Sequence, residues 1–171
     1  MYNKTSFLLL SMLCLSFCSY AQFINLDENK PTDIDGIEYG YIVKNEQSKT
    51  AKGEEYSRFE ITLYAINKSG CTKLYSNRTN IFSDESANLL ATFNCSNSNG
   101  RRLTAKSGIV KARDFYVNAK IPENGKEVNH SVKAGYIFRN GETVKTNIIV
   151  LVPKDSRPVM SCTLNSPSEL Q

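Results

Sequence analysis

Tryptophan is absent from the 171 residues, and histidine occurs once. Both shortages remove classes of function. A zinc centre built on several imidazoles has no donors here, and any imidazole-dependent acid–base step rests on His130 alone. A sugar-stacking surface would have to be built from tyrosine, because indole is missing. The chain has no C-x-x-C, no G-x-S-x-G and no H-E-x-x-H, so the usual redox, nucleophile-elbow and zinc-peptidase signatures are excluded. Beyond residue 22 no apolar stretch approaches the roughly 18 residues of a spanning helix. Helical periodicity is nearly missing as well. Only Ser83 to Ala91, with Ser83 or Asp84 as cap, reads as one or two helical turns.

The first 21 residues have the anatomy of a secretory signal peptide. Lys4 supplies a short positive region, Phe7 to Phe17 is apolar, and Ser19 and Ala21 put small side chains at the −3 and −1 positions of a cleavage site. Cleavage there predicts a mature chain starting at Gln22, periplasmic or secreted. The alternative is lipid anchoring through Cys18, which the bulky Phe17 before it disfavours. Removing the leader takes away Lys4, so the formal charge falls from +4 to +3. With 40% hydrophobic and 22% charged residues over its full length, the chain is globular in composition.

Short alternating runs separated by turn dipeptides fill the mature chain. Ile37 to Val43 follows Asp35-Gly36. Phe59 to Ala65 ends at Asn67-Lys68-Ser69-Gly70. Cys71 to Ser76, Leu89 to Cys95, Leu103 to Ala105, Ile109 to Ala112, Phe115 to Ala119, Val132 to Phe138, Val144 to Val152 and Val159 to Leu164 complete the series. Turn signals about every 8–12 residues predict an all-β fold, an antiparallel β-sandwich of about eight or nine strands, loosely immunoglobulin-like. Residues 22–164 form this single domain, with an unpacked acidic stretch, Asp27 to Asp35, near its start and a flexible tail, 165–171, after it. Asn140-Gly141 predicts a hairpin from Ala134 to Pro153. Ile148, Val150 and Val152 on one face and Ile149 and Leu151 on the other predict a central strand.

Of the five cysteines, Cys71, Cys95 and Cys162 lie beyond the leader. In an oxidising compartment they form one disulfide with one free thiol, or none, and the spacing does not choose among the pairings. Asp33-Ile34-Asp35-Gly36 resembles the start of a calcium loop, but the later bidentate glutamate is missing and an ordinary turn explains it. No acidic residue occurs between Glu85 and Asp114, while Arg101, Arg102, Lys106, Lys111 and Arg113 fall within that interval. This run is the candidate anion-binding site; the competing reading is a solvated strand face. Seven tyrosines (Tyr39, Tyr41, Tyr56, Tyr64, Tyr75, Tyr116 and Tyr136) form either a stacking surface or ordinary strand positions. The four N-x-S/T matches beyond the leader, beginning at Asn67, Asn77, Asn94 and Asn129, are no more than chance provides.

The leader's S-Y-A-Q ending is similar to signal peptides of the Bacteroidota, and Asn140-Gly141-Glu142-Thr143-Val144 resembles the turn entering a late strand of bacterial immunoglobulin-like domains. The mature chain resembles small exported β-sandwich proteins of Bacteroidota of unknown function, some automatically labelled transporter permease. A chain without a spanning helix argues against that label. The expectation is an exported, non-catalytic binding or structural module of the cell envelope, with no cofactor, no metal and no nucleic-acid partner. Its partner is an anionic envelope glycan or another envelope protein. The alternatives are a small extracytoplasmic hydrolase using carboxylates and an accessory subunit of an envelope complex.

Overall fold

In Phe59-Glu60-Ile61-Thr62-Leu63-Tyr64-Ala65 every second side chain points the same way. In the computed structural model Phe59, Ile61, Leu63 and Ala65 are fully buried, as a half-buried pleated strand requires. The structure describes residues 23–51, 53–76, 88–97 and 107–165. Those residues form β1 (Phe23–Leu26), β2 (Thr32–Ile34), β3 (Ile37–Ala51), β4 (Glu54–Asn67), β5 (Lys73–Ser76), β6 (Leu89–Ser96), β7 (Gly108–Lys111), β8 (Arg113–Glu123), β9 (Lys126–Phe138), β10 (Thr143–Pro153) and β11 (Val159–Leu164). The fold is all-β and antiparallel. Its three sheets have the orders β1-β11-β6-β7, β10-β4-β3-β2 and β5-β9-β8.

The first two sheets make the sandwich, and the base of the third closes one end of it. Phe93, Cys95, Met160 and Cys162 from the first sheet, Tyr39, Tyr41, Phe59 and Leu63 from the second, and Tyr75, Tyr136 and Phe138 from the third share one buried cluster. The sheets come closest at Gly108 on β7. A Cβ there would lie 2.0 Å from Leu63 Cδ1 and 3.3 Å from Ile148 Cγ2, so only glycine lets β7 approach β4 and β10 this closely.

Asn67 ties the second and third sheets together. It is wholly buried, and each hydrogen-bonding atom of its amide is used. Nδ2–H groups donate to Cys71 O (2.9 Å) and Phe138 O (2.8 Å), while Oδ1 accepts from Ser69 N–H (3.0 Å) and Ser69 Oγ–H (2.6 Å). Its backbone also joins the 139–142 turn, donating to Glu142 O and accepting from Gly141 N–H.

Several expectations need correction. β9 and β10 are not a hairpin: β9 pairs with β5 and β8, whereas β10 pairs with β4. The 139–142 turn carries the chain between sheets. It has positive φ at Gly141 and not at Asn140, as in a type II turn, whose twist does not suit a two-stranded ribbon. The Asn-Gly that does close a hairpin is Asn124-Gly125, with φ of 51° and 78°, joining β8 to β9. Asp35-Gly36 does the same between β2 and β3, with φ of 52° and 75°, and Asp33 Oδ1 accepts the Gly36 N–H. The acidic stretch before Gly36 is therefore ordered structure, with β1 pairing to β11 and β2 to β3. Leu89 to Ala91 belong to β6 and not to a helical turn; residues 77–87 lie outside the described residues. β10 is an edge strand of its sheet and not a central one. The leader, Leu103 to Ala105 and residues 166–171 also lie outside the described residues. Asn165, placed by sequence in the tail, donates its N–H to Leu90 O.

Beyond the sandwich, β8 and β9 run on as a two-stranded ribbon exposed on both faces from Tyr116 outward. An extra residue, Ala134, opposite the Phe115–Tyr116 step marks where it leaves the body. A bulge at this point bends a ribbon and increases its twist. One ribbon face carries Val117, Ala119, Ile121, Val128, His130 and Val132, and the other carries Asn118, Lys120, Ser131 and Asn129.

Candidate anion-binding groove

Lys111 ends β7 and Arg113 begins β8, with buried Ala112 as the corner between them. Both cations line a groove of about 540 Å³ between the open edges of β7 and β10, together with Ile109, Val110, Thr143, Val144, Lys145 and Thr146. Lys111 and Arg113 were legible as members of the basic run. Lys145 was not, because it joins them only when β10 is brought beside β7, and no local pattern in the sequence records that neighbour. Arg101, Arg102 and Lys106 lie outside the described residues.

The three cations are not equivalent. Arg113 Nε contacts Glu142 Oε1 as an ion pair, though the contact lacks hydrogen-bond geometry. Glu142 Oε2 accepts the Arg139 N–H at 2.8 Å. The Glu142 side chain is only 9% exposed, so it holds Arg113 in place at the groove's end. Lys111 and Lys145 have no ion-pair partner among the described residues. The groove thus has two uncompensated ammonium groups, one fixed guanidinium and the hydroxyls of Thr143 and Thr146. Its apolar floor comes from Val110 and Val144, which are buried. Such a lining suits an anion with an apolar or sugar body.

The other candidate residues are placed elsewhere. Tyr39, Tyr41, Tyr64, Tyr75 and Tyr136 are buried, which leaves Tyr56 and Tyr116 on different sheets and no common stacking surface. Burial pushes the Tyr39 and Tyr41 hydroxyls above the usual phenol range, with nearby Tyr75 acting on the first and Glu28 on the second. Tyr64 lies over Gly40, its directly opposed partner on β3. His130 sits on the ribbon with Nε2 3.1 Å from Glu123 Oε1. The carboxylates with ion-pair partners face cations: Glu55 with Lys154, Glu60 with Arg58, Glu127 with Lys120, Asp114 with Lys133, and Glu28 and Glu46 with Arg157.

Cys71, Cys95 and Cys162 are separate thiols. Cys95 opposes Met160 and Cys162 opposes Phe93 on the adjacent strand. The two sulfurs are therefore diagonal neighbours, about 7–8 Å apart at Cα, wider than a disulfide normally spans. Burial pushes both thiols up to about 11. Cys71 is exposed, with Sγ 3.4 Å from Ser69 Oγ.

Among the described residues no cluster of three or more His, Cys, Asp or Glu is placed to hold a metal ion, and no helix is long and apolar enough to cross a membrane. In comparisons with family models, curated proteins and solved structures, none matches this chain.

Proposed function

We propose that this protein is an exported, non-catalytic binding module of the cell envelope that takes an anionic ligand, such as an acidic glycan, in the β7–β10 groove. The observation that supports this reading is the convergence of Lys111, Arg113 and Lys145 from three strands on one groove, with two of the three cations uncompensated. Such a site attracts phosphate or carboxylate groups through a potential screened over about 10 Å at 0.1 M salt. It has positioning groups and a partly apolar wall but no paired carboxylates. That favours binding over the hydrolase alternative.

The test is co-sedimentation of the protein with purified anionic envelope polymers at about 20 mM and about 300 mM salt. Binding is expected to weaken steeply at the higher salt and to fall at least about tenfold in Lys111→Gln/Lys145→Gln, about 1.4 kcal/mol. The urea midpoint should stay nearly unchanged, because exposed substitutions usually move stability by under about 0.5 kcal/mol. Lys49→Gln/Lys126→Gln, two exposed lysines outside the groove, serves as the charge-matched control. Equal binding by the groove double variant would sink the assignment.

A further inference from the structure

The run Thr146-Asn147-Ile148-Ile149-Val150-Leu151-Val152 has the composition of a strand with neighbours on both sides, yet β10 has only β4 beside it among the described residues. Its inward side chains behave as expected: Val150 and Val152 are fully buried. Its outward ones do not. Ile149 is 58% exposed and Leu151 54% exposed, the highest exposures of any described large aliphatic side chains.

The hydrogen bonds show which backbone groups are unused. Glu142 O accepts from Asn67, and Lys154 N–H donates to Glu55 O, so even-numbered positions face β4. The β10–β4 register runs without a shift from Thr143 to Pro153. Alternation along an antiparallel strand then turns the N–H and C=O groups of Lys145, Asn147, Ile149 and Leu151 toward the open edge. Pro153 falls on the same side, where a missing N–H breaks no ladder bond. Toward the other end, β7 stands beside Thr143 to Thr146 across the groove. The free template is therefore Asn147 to Leu151, short, largely apolar and unpaired among the described residues, the kind of edge that natural sheets otherwise block.

We propose that the occupant of this edge is β10 of a second copy of the chain, paired antiparallel about a two-fold axis through Ile149. Ile149 then opposes Ile149 of the second copy, and Asn147 opposes its Leu151. Every pair involved exchanges both backbone hydrogen bonds, and the two β10-β4-β3-β2 sheets become one. Charge favours a self-pair. Thr146 to Val152 carries no charge, so no like charges meet. A two-fold contact needs a self-complementary patch, and this one is. The pairing covers a short segment, well below the roughly 1,600 Å² of a standard interface. The dimer is accordingly weak, in the micromolar range.

Sedimentation velocity of the mature protein without ligand, from about 1 to about 300 μM, tests this. The mass should move from monomer toward dimer across that range. Ile149→Lys places two ammonium groups opposite each other and should abolish the shift. Leu151→Pro removes an open-edge N–H while leaving the β4 ladder intact, and should do the same. Circular dichroism and the urea midpoint of Ile149→Lys, a surface change, establish that its fold is retained. A wild-type protein monomeric at every concentration would overturn the self-pairing and leave the edge for a foreign strand. A dimer that survives both substitutions would overturn it as well, by placing the contact elsewhere.

Discussion

One amide carries an unusual share of the connectivity. The Asn67 side chain holds the carbonyl of Phe138 from β9, the carbonyl of Cys71 before β5, and the Ser69 turn. Asn67→Asp replaces two donors with an acceptor that faces two carbonyl oxygens. Each buried group left unpaired costs about 1–3 kcal/mol. Chemical denaturation at pH 7 should show a loss of about 3 kcal/mol or more, smaller near pH 4, where the new carboxyl is protonated and regains one donor. An unchanged midpoint would remove the residue from this role. Cys95 and Cys162 make a second prediction at the same scale. Their thiols are raised by burial from 9.0 to about 11. Below pH 9 both states keep the proton and the contribution is complete. As pH rises from about 9 to about 11 the unfolded chain ionises first, so stability falls, by about 3 kcal/mol per thiol at one pKa unit per 1.36 kcal/mol. Buried Tyr39 adds a loss of the same sign above its ordinary value of 10. Thiol titration of the leader-free chain should find one fast site, Cys71, in native protein and three after unfolding.

At the level of strands, the sequence was most readable where alternation was strict and a turn residue stood at each end. β4 and β11 are such strands. Asp35-Gly36 and Asn124-Gly125 close hairpins because both residues adopt positive φ, while Asn140-Gly141 has the same letters and bends the chain into another sheet. The dipeptide does not distinguish these outcomes. The buried pairing of Asn67 with the 139–142 turn does, and its two halves lie more than 70 residues apart in the chain. Extension of β3 past Val43 was equally hidden, because Lys44 to Thr50 is polar on both faces and is held by its ladder to β4 and the Glu46–Arg157 ion pair. At Gly108 the missing Cβ is what admits Leu63. Gly108→Ala should cost about 1–3 kcal/mol through overpacking. Leu63→Ala, itself costly through its cavity, should relieve that clash, giving a double-mutant coupling of about 1–2 kcal/mol in urea denaturation. Additive effects would mean that the two sheets do not meet there.

For the whole molecule, fold class was legible because it depends on local period, whereas the groove depends on which strands become neighbours. Lys111 and Arg113 were identified together, and Lys145 and Glu142 were added only by the docking of β10. The same distinction between local and distant order governs the first sheet. β11, the final strand, lies between β1 and β6 and not at a margin. Its Met160 and Cys162 complete the core, and its two ladders leave β1 no other strand partner among the described residues. Ending the chain after Arg157 should therefore abolish cooperative unfolding, followed by circular dichroism against urea; a sharp transition in the shortened chain would contradict this. The order of arrival follows from that position. A polypeptide is synthesised from its N-terminus at about 5–20 residues per second, so the wedge that joins the two halves of this sheet emerges after every other described strand. Until then Phe23 to Leu26 has no strand partner among the described residues, and the sheet stays open between β1 and β6 however much of the preceding chain has been made.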